Sequence, residues 1–260
     1  GSLVAFIYNR CDLVLGQSKA FYDGIALYCT DKTKIKYFPS WSESVFAGSA
    51  TLPVQEIEKH QGVFKILFAG NVGDAQDFPA ILSAAGLLKK KQLQVKFFIV
   101  GDGRAFEWVK SEISKKDLQD YVYLMGRHPL ETMPSFYASV DALLVTLQES
   151  PVFAMTIPGK VQSYMAAGKP ILTMLSGEGS RIIEEAECGY TAKSSDYEQL
   201  TNNIIAMSEL KQNELVKLGG NAKRYAKTEF DRDTLITQLE NWFVELEQKS
   251  INQSSKGSPL

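Results

Sequence analysis

A glycine turn, Gly70-Asn71-Val72-Gly73, follows the first long apolar run of the chain. Glycines let backbone N–H groups approach phosphate oxygens closely, and the N-terminus of a helix favours their negative charge. A helical pattern begins just beyond this turn, near Asp77. Short glycine patterns are weak signals, however, and a tight strand-to-helix connection needs the same residues. The residues therefore leave two alternatives open, phosphate binding and a purely structural turn.

Two cations stand at further junctions between predicted strands and helices. Lys160 opens a predicted helix, where a positive charge is unfavourable because the helix N-terminus is itself positive, so a bound anion would compensate it. Arg127 follows a predicted strand, and its guanidinium is able to hold a phosphate through two hydrogen bonds. The alternatives are a solvated surface lysine for Lys160, and a plain surface arginine or an ion pair with Glu131 for Arg127. His128 is not expected to be catalytic, because the sequence offers no carboxylate to orient it.

Apolar, β-branched runs that alternate with helical patterns predict the elements that position these residues. The predicted strands span residues 64–70, 95–101, 122–126, 142–146 and 170–174. The predicted helices span residues 77–91, 106–116, 130–139, 159–167 and 179–186. This order is typical of an α/β fold with a doubly wound, Rossmann-like parallel sheet. In such sheets ligands bind at the carboxyl ends of the strands, where both cations and the glycine turn are expected.

Composition restricts the class of protein without naming a function. The chain has 260 residues, 45% of them hydrophobic, and a formal net charge of -2. This charge disfavours a general nucleic-acid binder, which needs a surplus of Lys and Arg. The cysteines, Cys11, Cys29 and Cys188, include no C-x-x-C pair, so neither a disulfide framework nor a zinc site is predicted. The apolar runs have the length of strands, and no secretory signal pattern opens the chain, so we expect a cytoplasmic protein with at most peripheral contact at the inner face of the membrane.

Two segments resemble GT-B glycosyltransferases of family 4. Residues 67–73, LFAGNVG, resemble the opening of the C-terminal Rossmann domain of that family. Residues 158–170, PGKVQSYMAAGKP, look like the P-x-K-x-x-E-Y-M-A-A-G-K-P segment of bacterial members that build surface polysaccharides. Residues 11–18 and 36–41 resemble the stretch in which these enzymes leave the N-terminal domain and enter the C-terminal one. The chain is thus identified as the donor-binding half of such an enzyme.

The resemblance implies a division of the chain into five parts. They are the end of the N-terminal acceptor domain (1–45), a linker (46–63), the Rossmann-like nucleotide-sugar-binding domain (64–230), a helix that crosses back to the N-terminal domain (231–249) and a disordered tail (250–260). The acceptor pocket would then lie outside this chain. A homo-oligomer is a further expectation, because the apolar stripe near Trp242 needs a partner.

The resemblance also implies transfer of a sugar from a nucleoside diphosphate, a UDP-sugar, with retained anomeric configuration and no metal or other cofactor. Lys160 and Arg127 would stabilise the departing diphosphate as catalytic residues. The donor would contact the first glycine turn, Thr156 and Ser163. A second glycine turn after the last predicted strand would add further contacts, at Gly177, Glu178, Gly179 and Ser180. The acceptor would be a saccharide or a lipid-linked saccharide, bound by the missing domain.

The chain departs from the family pattern at two glutamates. Many members carry one near the donor sugar and one near the ribose, and the corresponding residues here are Met155 and Ser163. Glu149 is either a substitute carboxylate or a solvated loop acid. The departures favour, as an alternative, a non-catalytic subunit that binds a nucleotide or a partner enzyme. A nicotinamide-dependent dehydrogenase is disfavoured, because the first glycine turn does not fit G-x-G-x-x-G.

Overall fold

The computed structural model describes residues 1–43, Phe46 and residues 52–256. The predicted boundary at residue 45, residues 47–51 of the predicted linker and the last four residues of the predicted tail lie outside this range. The chain begins with a small unit of two helices and two strands, α1 Ser2–Arg10, β1 Val14–Gly16, α2 Phe21–Ala26 and β2 Ile35–Tyr37. Strands β1 and β2 pair in parallel. They enclose a small core of Val14, Ile25, Cys29 and Ile35.

A six-stranded parallel sheet forms the centre of the remainder. Its strands are β3 Phe64–Ala69, β4 Val95–Val100, β5 Val122–Gly126, β6 Ala142–Thr146, β7 Ile171–Met174 and β8 Gly189–Ala192. They lie in the order β5-β4-β3-β6-β7-β8, and every pairing is parallel. The predicted doubly wound sheet is confirmed. The order of connection reverses between β3 and β6, and such switch points are where these sheets bind ligands.

Helices cover both faces of this sheet. They are α3 Gln55–Glu58, α4 Phe78–Lys90, α5 Phe106–Lys115, α6 Met133–Ala138, α7 Pro151–Met155, α8 Gly159–Ala167, α9 Glu178–Glu185, α10 Tyr197–Ser208, α11 Gln212–Glu229 and α12 Arg232–Lys256. Along β3, Ile66 and Phe68 face the core on one side of the sheet, whereas Leu67 and Ala69 face the core on the other. Burial on both sides explains why the strands are continuous apolar runs rather than alternating ones.

Three elements differ from the sequence-based expectations. Strand β8 was not predicted, because its four residues at the edge of the sheet carry little apolar signal. Helix α7 lies inside residues 147–157, which were expected to be a loop. Helix α12 continues to Lys256, so residues 250–256, expected to be disordered, are helical. Among the described residues no helix has the length and apolar character needed to span a membrane.

Candidate functional site

The first glycine turn lies at the switch point and is in tight contact with the loop after β4. The N–H of Val72 donates to the carbonyl of Asp102 (2.8 Å), and the N–H of Ala105 donates to the carbonyl of Val72 (3.0 Å). A Cβ added to Gly101 would lie 1.8 Å from the carbonyl oxygen of Gly70. Because no side chain fits into that distance, Gly101 allows the two loops to touch.

The turn is also joined to the end of β6. The hydroxyl of Thr146 donates to the carbonyl of Gln76 (2.5 Å), and the N–H of Gln148 donates to the carbonyl of Ala75 (2.9 Å). Thr146 is almost fully buried. These bonds close the base of the crevice between β3 and β6, so a ligand there would meet fixed backbone rather than a mobile loop.

Lys160 reaches this turn from the start of α8. Its Cε lies 2.5 Å from the position that a Cβ on Gly70 would occupy. Its amine stands 3.6 Å from the centre of the Phe68 ring. The amine is buried, and no hydrogen-bond partner for it occurs in the described part of the chain. Burial lowers the pKa of Lys160 from 10.5 to about 7, because the charged form loses its hydration.

The lysine is therefore not a solvated surface residue, and that alternative is wrong. A cation–π contact favours the charged amine by roughly 0.5–2 kcal/mol, which is less than burial without a partner costs. A buried, unpaired amine beside a glycine turn is a site at which an anion would be strongly favoured, since it would supply the missing counter-charge. The structure thus brings Lys160 and Gly70 together, as a phosphate site requires.

A cleft of about 830 Å³ opens beside Gly70 at the carboxyl ends of β3, β4 and β5. Its lining is the first glycine turn and the loops after β4 and β5: Gly70, Asn71, Val100, Gly101, Asp102, Gly103, Arg127, His128, Pro129, Leu130 and Met133. Arg127 is exposed at this cleft. No ion pair joins it to Glu131 within the ranges that the structure describes. Arg127 is therefore available to a ligand in the cleft.

His128 is a further lining residue of the cleft, for which the sequence predicts no catalytic role. Its Nε2 lies 3.0 Å from the carbonyl oxygen of Met125. Its ring packs against Phe136 with centroids 4.6 Å apart. The ring is thus fixed as a wall of the cleft rather than oriented by a carboxylate. The sequence indicates this position at the cleft, because His128 directly follows Arg127 beyond the end of a predicted strand.

The second glycine turn lies at the end of β7 and contacts α7. A Cβ on Gly177 would lie 1.9 Å from the carbonyl oxygen of Ala154, so this position also requires glycine. The buried Glu178 carboxylate accepts from Arg181 at 2.8 and 3.2 Å. The hydroxyl of Ser180 donates to the carbonyl of Leu175 (2.5 Å). Because these side chains bond within the turn, what it offers a ligand is the backbone N–H groups at the start of α9.

The hydroxyls expected to contact the donor bond back within their own helices. Thr156 Oγ1 donates to the carbonyl of Val152 (2.7 Å), and Ser163 Oγ donates to the carbonyl of Gly159 (3.2 Å). Each oxygen keeps acceptor capacity for a ligand hydroxyl. Ser163 stands on the same helix as Lys160, whereas Thr156 lies just before it.

Glu149 is the one carboxylate that the sequence offered in place of the missing glutamates. Its Oε2 accepts a hydrogen bond from the hydroxyl of Ser176 (2.9 Å). The Ser176 hydroxyl is also 3.3 Å from the hydroxyl of Ser194. Glu149 is therefore tied to the ends of β7 and β8, beside the second glycine turn, and is more than a freely solvated loop acid.

A metal ion bound together with a diphosphate would need carboxylate ligands from the chain. Asp231 and Asp233 form an Asp-x-Asp sequence at the start of α12. The carboxylate of Asp231 accepts from the N–H (2.9 Å) and the hydroxyl (2.7 Å) of Thr234, which makes it a helix cap. Across the described residues no group of three or more His, Cys, Asp or Glu side chains is arranged to hold a metal ion.

Comparison with known proteins identifies the family to which this chain belongs. The family model of glycosyl transferases group 1 matches residues 54–225. The probable glycosyltransferase WbjE of Pseudomonas aeruginosa is 30% identical over 223 residues, which cover 84% of this chain and 54% of WbjE. The amylovoran biosynthesis glycosyltransferase AmsK of Erwinia amylovora is 24% identical over 67% of this chain and 43% of its own length. The chain therefore spans about half the length of these curated relatives.

Solved structures show the same fold. The structure of Anabaena Alr3699/HepE in complex with UDP superposes with a TM-score of 0.76 at 17% identity, over 93% of this chain and 66% of HepE. A glycosyltransferase from Rickettsia africae superposes with a TM-score of 0.75 at 18% identity, over 93% and 66% of the two chains. Since the family model covers well over half of the sequence and the parallel sheet agrees with it, the chain belongs to the glycosyl transferases group 1 family of GT-B glycosyltransferases.

Proposed function

We propose that this chain is the donor-binding half of a retaining glycosyltransferase of polysaccharide biosynthesis. It would bind a UDP-linked sugar, which the enzyme transfers to a saccharide or lipid-linked acceptor. The observation that carries the proposal is the buried amine of Lys160, which lies against Gly70 without a hydrogen-bond partner among the described residues. A diphosphate bound there would give this amine its counter-charge. The proposed activity belongs to a protein that also includes an acceptor-binding half.

The geometry supports one orientation of the donor. The diphosphate would lie over Gly70 and Lys160 at the switch point, and the nucleoside would extend into the cleft towards Arg127. The volume of that cleft, about 830 Å³, falls within the range of roughly 300–1,000 Å³ typical of small-molecule sites. The apolar side chains of Pro129, Leu130 and Met133 would contact the base, and Arg127 would be free to approach a phosphate.

Catalysis in this arrangement would depend on stabilising the diphosphate as it departs. Negative charge grows on the phosphate oxygens while the bond to the sugar breaks, and a fixed cation in a water-poor site stabilises that charge strongly. Lys160, the first glycine turn and the N-terminus of α8 would supply this stabilisation, so the proposal needs no metal ion. The proton of the acceptor hydroxyl would pass to the leaving phosphate itself.

The relatives support the choice of donor and the process. Solved neighbours are described in complex with UDP or UDP-glucose. Sequence relatives are described as enzymes of amylovoran and colanic acid biosynthesis. A cytoplasmic location, including the inner face of the membrane, agrees with a nucleotide-sugar donor and remains part of the proposal.

One observation favours a second candidate, a nucleotide-binding subunit without transferase activity. Met155 and Ser163 stand where the resemblance to family 4 implies glutamates, and Glu149 is held by Ser176 at the neighbouring strand ends. A ribose hydroxyl would then bond to a neutral serine, and a neutral partner gives a hydrogen bond about half as strong as a charged one. Such a subunit would bind a diphosphate at Lys160 and Gly70 but would not catalyse sugar transfer.

The test is calorimetric titration of the chain and its Lys160→Met variant with UDP and with uridine. Loss of the charged contact should weaken UDP binding roughly 10- to 100-fold, while uridine binding stays the same. Lys110→Met is the matched control, since Lys110 is an exposed lysine on α5 and the same side-chain replacement is made there. An equal loss for UDP and uridine would rule out a phosphate role for Lys160. Absence of any UDP binding by the unmodified chain would refute the donor site as a whole.

A further inference from the structure

The segment between α7 and α8 is held by two side chains from the loop after β1. The Nε2 of Gln17 donates to the carbonyl of Ile157 (2.8 Å), and the N–H of Ile157 donates to the Oε1 of Gln17 (3.3 Å). The hydroxyl of Ser18 donates to the carbonyl of Met155. These contacts join parts of the chain about 140 residues apart.

The contacts are partly buried, and two of the residues that make them are almost fully buried, which makes the contacts costly to lose. Ile157 is 1% exposed and Ser18 is 2% exposed. A buried backbone N–H or carbonyl without a partner costs roughly 1–3 kcal/mol, and the single amide of Gln17 satisfies both groups of Ile157. Replacing that amide by an apolar group would leave two buried polar groups unpaired, so the segment would have to move to find other partners.

Movement of this segment would be transmitted directly to Lys160. Pro158 follows Ile157 and caps α8, and Lys160 is the second residue of that helix. On its other side the segment continues from α7, whose Ala154 carbonyl abuts Gly177. A Cβ on Gly70 would lie 2.5 Å from the Cε and 3.1 Å from the Nζ of Lys160, so the amine lies in space that only a glycine leaves open. A shift of the α8 N-terminus would therefore change the position of the amine relative to Gly70.

We propose that Gln17 and Ser18 are positioning residues, which hold residues 155–157 so that the amine of Lys160 stays against Gly70. The small unit of β1 and β2 thereby sets the affinity of the donor site for phosphate. The effect on phosphate affinity rests on the proposed function. The positioning of Lys160 by Gln17 and Ser18 does not depend on it. In a two-domain enzyme, a movement that draws this unit away from α8 would loosen the hold on the diphosphate.

The variant that tests the proposal is Gln17→Met, which keeps the size of the side chain and removes its amide. The matched control is Asn9→Leu. The Nδ2 of Asn9 donates to the carbonyls of Ala5 (2.7 Å) and Tyr28 (3.0 Å), and its Oδ1 accepts from the N–H of Thr30 (2.8 Å), all within the small unit. Both variants lose an amide that joins backbone groups of separate segments. The bonds of Asn9 are exposed and stay within the small unit, whereas those of Gln17 are partly buried and reach Ile157.

The first measurement is the rate at which an amine-acetylating reagent modifies Lys160 without ligand, followed by peptide mass spectrometry. We expect Lys160 to react several-fold faster in Gln17→Met and at an unchanged rate in Asn9→Leu. The second is the dissociation constant of UDP relative to that of uridine, which should rise roughly tenfold in Gln17→Met alone. A merely structural role for Gln17 would change the affinities of both ligands together.

Equal acetylation rates and equal UDP-to-uridine ratios in the two variants would overturn the proposal. If Gln17→Met does not fold, Ser18→Ala, which removes one hydroxyl contact, carries the same expectations with smaller changes. The acetylation result decides the positioning role even if the unmodified chain binds no UDP. In that case the proposed function is refuted, and the acetylation rates of Lys160 alone test the positioning role of Gln17 and Ser18.

Discussion

The burial of Lys160 should make the free energy of unfolding depend on pH between about 7 and 10.5. Its pKa is about 7 in the folded chain, against the usual 10.5. Between these values the unfolded chain carries a proton on this amine that the folded chain lacks, so stability falls as the pH drops from about 10.5 to about 7 and then levels off. Lys160→Met should therefore be more stable than the unmodified chain at pH 7, with a gain that shrinks towards pH 10. Urea unfolding at the two pH values measures this, and a gain independent of pH would contradict it.

A second residue-scale prediction concerns the contact between the two loops at the cleft. Gly101 has a φ of +137°, and its Cβ position is blocked by the carbonyl of Gly70. Gly101→Ala should destabilise the fold by more than about 2 kcal/mol, because both the backbone conformation and the contact are lost. Gly86→Ala is the control: Gly86 lies in α4 with nothing within 4 Å of its Cβ position, and the change should stabilise by about 0.5–1 kcal/mol. Thermal unfolding of both variants tests the pair, and similar shifts would refute it.

At the scale of elements, the long helix α12 packs against the segment after β2 through an aromatic pair. The half-buried Trp242 packs edge-on against Phe38 with ring centroids 6.1 Å apart, whereas the adjacent Phe243 is 56% exposed. Trp242→Ala should cost about 1–2 kcal/mol and speed hydrogen exchange along α12. Phe243→Ala should change stability by less than about 0.5 kcal/mol. Equal exchange rates in the two variants would show that α12 is held by other contacts.

At the scale of the whole molecule, we expect this chain to bind the donor but to transfer no sugar by itself. It spans 54% of WbjE and 43% of AmsK, and a cleft between two domains needs both of them. The exposed side chains of Leu3, Phe6 and Phe243 would then meet either the acceptor-binding half of such an enzyme or a second copy of the chain.

The assay incubates the chain with UDP-sugars and a panel of saccharide and lipid-linked acceptors, with and without the N-terminal half of a full-length relative. Transfer only after that addition would agree with the prediction. Transfer by the chain alone would contradict it. Light scattering of the chain at several concentrations measures self-association in the same samples.

Much of the fold follows from the sequence, because its signals are local. Five of the six strands of the main sheet and helix α8 lie within a residue of their predicted positions, since apolar runs and helical periodicity act over a few residues. The glycine turn after β3 and a lysine at the start of a helix are also local features. These determined the class of fold and the two residues on which the candidate site is built. Strand β8 and helix α7 were missed because their short runs carry little such signal.

Only the tertiary structure decided what those residues meet. The sequence placed Lys160 at a helix start, but the burial of its amine depends on Phe68 and Gly70 from another strand and turn. The same holds for Gln17, whose amide finds its partner about 140 residues away. Contacts of this kind arise when the sheet closes and helices cover its faces, and no pattern within a short stretch of sequence encodes them. The sequence by itself therefore determined which groups are present at the strand ends, and the packing decided which of them are charged, buried or held in place.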